Sequence, residues 1–350
     1  MEKMFINEKW IENLGMENPT SVEEFIDVLR AIKEKDANGN GDPNDEIPLL
    51  FPSADINALL PIYGVAADVQ NTHCILEDGK LGKYLYNSEE YKGYLGFLRQ
   101  LYEEGLLYDQ TFVATSQQVM SLARSENIAG AIVHSGASYY LGQNDHSLEY
   151  NFLLPFNGGR YPSRAAGSAG AFVITDACEH PELAMAWADN MYSEEMSALS
   201  AMGIEGTTYK IGKDGDKEYI ERLVSTDVED GHKLTGGPGL PYVMPELSYI
   251  YTPDPKVQSA QDHHVMPMEA GVDIMAPVLK YSIDDGKKVA QINADIKPYV
   301  AEYLAKVVTG EYDLEETWDD YVQTLKDMKV DEYYALAEKA YELYDSTVNK

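Results

Sequence analysis

Apolar residues recur at helical spacing in several well-separated stretches of the chain. Val22, Phe25, Ile26, Leu29 and Ile32 share one face of a helix that starts after Pro19, with Thr20 as the expected N-cap and Glu23 closing a capping box. A second helix runs from about Ser88 to Glu104, with Tyr91, Tyr94, Leu95, Leu98, Leu101 and Tyr102 inward and Gly105 just past its end. Val289, Ile292, Ile296, Val300 and Leu304 mark a long helix ended by Thr309-Gly310, and 314–328 and 331–344 read as two more. Trp318 is a core anchor on the first of these two.

Between the helices lie short apolar runs with strand character. Residues 4–16 open on a strand and turn into a helix stopped by Gly15, and Ile47 to Phe51 is a second strand. A short helix near 116–124 leads into the strand 129–134, whose end carries His134-Ser135-Gly136. Strands are also expected at 151–156 and 170–174, the latter followed by a helix from Pro181 that turns Leu183, Ala184, Trp187, Ala188 and Met191 inward. Strands alternating with helices predict an α/β layered sheet, and in such sheets ligands gather beyond the carboxyl ends of the strands.

The stretch from Asp36 to Glu46 reads as a calcium loop. Oxygen-bearing side chains at Asp36, Asn38 and Asn40 alternate, Gly41 permits the sharp turn, the Asp42 carbonyl falls seventh, and Asp45 and Glu46 can close the coordination sphere with a carboxylate. It departs from an EF-hand at the twelfth place, where Ile47 stands instead of Glu. Ile47-Pro48 starts no regular helix, so the loop feeds a strand and any metal is structural. The competing reading is a solvated Asn/Gly turn that binds nothing.

Composition narrows the function. Of the 350 residues 44% are apolar and 25% charged, which is globular, but the net charge is −32 with a pI near 4.4. Nucleic acid and acidic lipid surfaces are thereby excluded as partners, and an uncharged or cationic ligand is favoured. Cys74 and Cys178 lie far apart without a CxxC pattern, which points to free thiols and leaves a disulfide open. No apolar run reaches eighteen residues, and Met1-Glu2-Lys3-Met4 does not read as a signal peptide. His263, His264, Met266 and Met268 imitate a soft-metal cluster, although adjacent histidines point apart on regular backbone.

The segments Phe5-Ile6-Asn7-Glu8-Lys9-Trp10, Pro19-Thr20-Ser21, the Asp36–Pro48 loop, Cys178 to Ala184, Gly203 to Tyr209 and Trp318 to Val322 together resemble family 1 extracellular solute-binding proteins of ABC importers. The resemblance runs from about residue 4 to the C-terminus and is closest to the lipoprotein-type carbohydrate receptors of Gram-positive bacteria, kin to alginate-oligosaccharide- and maltose-binding proteins. It implies an α/β, type II periplasmic-binding-protein-like two-lobed clamshell that closes on an oligosaccharide and hands it to an ABC transporter permease without catalysis. It also implies an extracellular, cell-surface lipoprotein held by a lipid anchor that this chain does not carry. Family members begin with a signal peptide, a lipidated cysteine and most of the first lobe. One lobe is therefore expected to be incomplete, with 1–164 and 240–350 forming the larger lobe and 165–239 a remnant of the other, exposing apolar surface to water.

Sugars present apolar ring faces for aromatic stacking and hydroxyls for planar polar groups. Among 26 tyrosines most serve packing. Beyond the strand ending at His134, Ser135 and the Tyr139-Tyr140 pair match the aromatic platform that the resemblance implies. Asn57 and Tyr63 share that opening if strand 47–51 runs parallel to 129–134, and Glu205 and Tyr209 offer a further contact or simply stabilise their turn. A glycan-active enzyme such as a glycoside hydrolase is the alternative from another class, since 59 acidic residues guarantee carboxylate pairs. No nucleophile elbow, P-loop, dinucleotide fingerprint or HExxH accompanies them. A truncated, non-binding fragment is the third possibility.

Overall fold

The computed structural model describes residues 3–348 apart from 126, 135, 143–144, 165–171, 224–254, 256–261 and 263–265. It divides into two compact units, Met1–Ala165 with Asp262–Lys350, and Ala166–Gln261. His263, His264 and the Gly236–Pro241 loop lie outside the described residues.

The first unit is built on a four-stranded sheet of order β2-β6-β1-β7, from β1 (Lys3–Asn7), β2 (Ile47–Leu50), β6 (Ala129–His134) and β7 (Tyr150–Phe152). β2 pairs parallel to β6, while β1 runs antiparallel to both β6 and β7, so the sheet is mixed. Alternation along β1 sends Met4 and Ile6 into the main core and Phe5 into a second core on the opposite face. The main core takes α2 (Val22–Glu34) and α4 (Glu89–Glu103) together with the later helices α9 (Ile283–Val308), α10 (Leu314–Asp327) and α11 (Val330–Val348). The second core takes α5 (Ser116–Ser125) and α6 (Ala137–Leu141).

Local chemistry sets the boundaries of these elements. α1 (Glu8–Leu14) is capped by Asn7 at its start, where the side chain accepts from the Trp10 N–H, and by left-handed Gly15 at its end. The box at α2 sits one residue later than the sequence suggests. Ser21 is the N-cap, accepting from the Glu24 N–H at 3.1 Å, and Glu24 rather than Glu23 reaches back, accepting from the Thr20 N–H at 2.8 Å and its hydroxyl at 2.7 Å. The strand expected at 151–156 ends at Phe152; Leu153 still donates to the Met4 carbonyl, and Pro155, lacking an N–H, cannot extend the ladder. Between β2 and α4 lie a 3₁₀ turn (Ser53–Leu59), α3 (Leu60–Tyr63) and the small sheet β3-β4-β5 (Ala67–Asp68, Cys74–Glu77, Lys80–Tyr84). β8 (Tyr161–Arg164) pairs parallel with β11 (Asp273–Ala276) where the first unit leaves and resumes in sequence.

The second unit contains α7 (Pro181–Met191), α8 (Glu194–Met202) and the hairpin of β9 (Tyr209–Asp214) and β10 (Lys217–Arg222). The strand expected at 170–174 is not formed over its described part, 172–174. Of the α7 residues expected inward only Ala188 and Met191 are buried; Leu183 is 64% and Trp187 47% exposed. Phe172, Val173 and Met185 face solvent as well, and Phe172 packs its ring on Trp187 at 5.6 Å. Apolar spacing sets which face of a helix is greasy, but here α8 covers only part of that face.

Candidate functional site

Parallel pairing of β2 with β6 brings their carboxyl ends, Leu50 and His134, to one edge of the sheet. The 3₁₀ turn that follows β2 delivers Asp55 and Asn57 there, and α6, which follows β6, delivers Tyr140. Asn57 is half-buried and its Oδ1 is shielded without a protein partner. Tyr140 is 1% exposed, with its ring 5.0 Å from that of His134 and its hydroxyl also unpartnered. Burial and, secondarily, the Asp55 carboxylate push that phenol well above its ordinary range. Tyr140 thus lacks the open ring face expected of a platform, because the second core claims the ring, and its hydroxyl is buried with it. Ser135 and the Tyr139 side chain lie outside the described residues. Asp55, missed by the sequence reading, had only its place five residues past a strand end as a signal.

Tyr63 does not join this group. α3 lays its ring against Tyr94 at 5.8 Å and Phe97 at 5.4 Å, both on α4, between that helix and the first turn of α2. Glu205 and Tyr209 belong to the second unit, where they form a β-bridge and the Gly206 N–H donates to the Tyr209 carbonyl at 2.7 Å. Glu205 is exposed, whereas Tyr209 is 6% exposed and is a packing residue of its turn rather than an open contact.

The 36–46 loop is folded tightly on its own polar groups. The Gly41 N–H donates to Asp36 Oδ2 at 2.9 Å, and Gly41 holds φ +96°, a conformation that side chains rarely adopt. Asn38 and Asn40 turn their amides onto the two oxygens of Asp45, at 3.0 and 2.6 Å, and Glu46 Oε1 accepts the N–H groups of Ala37 and Asn38. Asp42 is set apart. Its Oδ1 accepts the backbone and side-chain amides of Asn44, bonds that do not involve the carbonyl expected at the seventh place. Two carboxylate oxygens, Asp36 Oδ1 and Glu46 Oε2, are buried with no partner, and burial raises the Glu46 carboxyl above its ordinary range. Among the described residues no group of three or more His, Cys, Asp or Glu is placed to hold a metal ion; two of this loop's five converging side chains, Asn38 and Asn40, are asparagines. Cys74 and Cys178 are free, and burial pushes the Cys74 thiol up to about 12 while its Sγ donates to the Thr72 carbonyl.

Residues 2–198, more than half of the chain, match the family model described as bacterial extracellular solute-binding protein. The chain belongs to this family. Among its solute-binding relatives the fructooligosaccharide ABC transporter substrate-binding protein FusA of Streptococcus pneumoniae is 26% identical over 364 residues, covering 99% of this chain and 66% of FusA. Lipoprotein LipO of Bacillus subtilis is 26% identical over 235 residues, 63% of this chain and 46% of LipO. The chain therefore spans just under two thirds of the first relative and less than half of the second. Solved structures of S. pneumoniae FusA, one with kestose and one of an EF-hand mutant with fructo-nystose, superpose with TM-scores of 0.73 and 0.71 at 24% identity, covering 99% of this chain and 72% of theirs. The fold is thereby α/β, of the two-lobed type II periplasmic-binding-protein class.

Proposed function

We infer that this solute-binding chain captures an oligosaccharide outside the cell and delivers it to an ABC transporter permease, working by binding alone. Similarity to FusA along 99% of the chain carries the reading. The edge carrying Asn57 supports it, since the shielded Asn57 Oδ1, without a protein partner, favours a ligand bearing hydroxyl groups. Cell-surface attachment through a lipid anchor accords with the name of LipO. Calorimetric titration with fructooligosaccharides and other neutral glycans, followed by product analysis, tests the reading. Stoichiometric binding with the glycan recovered intact is expected, and Asn57→Ala should weaken it about tenfold, the worth of a hydrogen bond at a buried group. Shortened glycan products, or no heat from any glycan with the protein still folded, would overturn it.

The 36–46 loop suits a structural calcium ion. Asp36 Oδ1 and Glu46 Oε2 are buried anionic oxygens in need of positive charge, and the carbonyl of Asp42 is a hard donor of the right kind. An ion bound there would tie the end of α2 to the start of β2. That a FusA structure is of an EF-hand mutant supports this reading. Calcium at a hundredfold excess over its dissociation constant should add about 2.7 kcal/mol, or roughly 3–8 °C in Tm, relative to chelator. Asp36→Ala should abolish the difference, and a melt indifferent to calcium in the unaltered protein would mean the loop is a plain turn.

A further inference from the structure

Tyr63 stands at the junction of two hollows on the flank of the first unit, away from the Asn57 edge. One, of about 480 Å³, is lined by Ile26, Asp27 and Arg30 of α2 and by Phe97 and Gln100 of α4. The other, of about 540 Å³, is lined by Gly64, Val65, Glu89, Glu90 and Asn157. Val22, Glu23 and Tyr63 line both, and each volume falls in the range of small-molecule sites.

The position of the ring is built into the neighbouring helix. A Cβ at Gly93, inside α4, would run into the Tyr63 hydroxyl, so a residue that costs an exposed helix roughly 1 kcal/mol against alanine stands where the ring edge passes. Phe97 at 5.4 Å and Tyr94 at 5.8 Å pack against the ring, which stays half-buried and lines both hollows. Around it are planar polar groups: the exposed Glu23, Asp27, Gln100 and Asn157, and the half-buried Arg30. Much of the local charge is already compensated within the protein. Arg30 contacts Asp27 at 2.8 Å and Glu104 at 2.6 Å, and Lys83 contacts Glu90 at 2.6 Å. A ligand cation is therefore not required; what the groove offers is an aromatic face flanked by hydrogen-bonding carboxylates and amides.

We propose that this groove is a second carbohydrate site, in which a neutral oligosaccharide straddles Tyr63 with a ring face against the phenol and hydroxyls donated to Glu23 and Asp27. It shares the ligand chemistry of the proposed function but none of its residues, so the two stand or fall separately. A trisaccharide entering the Asn57 edge and one on Tyr63 should be distinguishable as two sets of contacts on one chain.

The test is saturation-transfer NMR and calorimetry with kestose and maltotriose on the full chain and on Tyr63→Ala, Glu23→Gln and Asn57→Ala. Two classes of site are expected in the unaltered protein. Tyr63→Ala should weaken one of them about tenfold, the scale of one aromatic contact, and Glu23→Gln about threefold, while Asn57→Ala leaves that class unchanged. Glu23 is exposed, so its variant keeps the fold and decides the matter should Tyr63→Ala fail to fold. Titrations of Glu23→Gln and of folded Tyr63→Ala that match the unaltered protein overturn the second site, whatever Asn57→Ala does. Loss of all binding in Asn57→Ala likewise overturns the second site and leaves the proposed function standing. Binding that survives Asn57→Ala in full but disappears with Tyr63→Ala supports the second site and removes the edge site.

Discussion

Replacing Tyr321 by alanine should lower the free energy of unfolding by about 3–5 kcal/mol, the cost of emptying a large aromatic position in a packed core. Tyr321, on α10, is 1% exposed and its ring lies 3.9 Å from that of Tyr303 at an interplanar angle of 13°. Trp318 sits at 5.3 Å and Tyr299 at 5.6 Å, so one side chain joins α9 to α10. Replacing it by phenylalanine should behave oppositely. The Tyr321 hydroxyl is buried without a hydrogen-bond partner, and removing an unpartnered polar group while keeping the ring should be neutral or stabilising by about 1 kcal/mol. Urea unfolding of both variants measures this. A phenylalanine variant as damaged as the alanine one would show that the hydroxyl is satisfied after all.

Acid should remove stability through His73. Its imidazole is 2% exposed and lies between the rings of Tyr86 at 5.6 Å and Tyr333 at 6.0 Å. Burial first, and then the charge of Lys297, pull its pKa down to about 4, against a weaker opposing pull from Asp68. The unfolded chain binds this proton near pH 6.5 and the folded one near pH 4, so the contribution is intact above pH 6.5 and lost progressively as the pH falls to 4. Two to three pKa units correspond to a contribution on the order of 3 kcal/mol. His73→Asn suits the left-handed backbone there, φ 51°, and removes the titration. Its stability should start lower at pH 7.5 but decline less between pH 6.5 and 4.5. Parallel declines would assign the acid sensitivity to carboxylates instead.

Much of this was legible in the chain. The helical faces of α2, α4 and α9 and the strands β1, β2 and β6 were visible because each buries apolar residues at its own period, a local property. The tight turn at 36–46 was legible for a similar reason: Asp36, Asn38, Asn40 and Gly41 act within one turn, bonding one another and Asp45 over a few residues. Errors came where a neighbour distant in sequence decides. Trp187 and Leu183 have the spacing of a buried face but lack enough cover, and Tyr140 has the placement of a platform but is enclosed by the second core.

Sequence by itself determined the α/β class, the family, the polyanion-repelling charge and the presence of a tight acidic loop, since these depend on residue type, period and short spacing. The tertiary structure alone decided which candidates meet. It gathered Asp55, Asn57 and Tyr140 at the end of two parallel strands and carried Tyr63 away to the flank of α2 and α4, against Gly93. The reason is physical. Strand pairing and helix packing join residues far apart along the chain, and no local pattern around Tyr63 says which helix its ring will lean on.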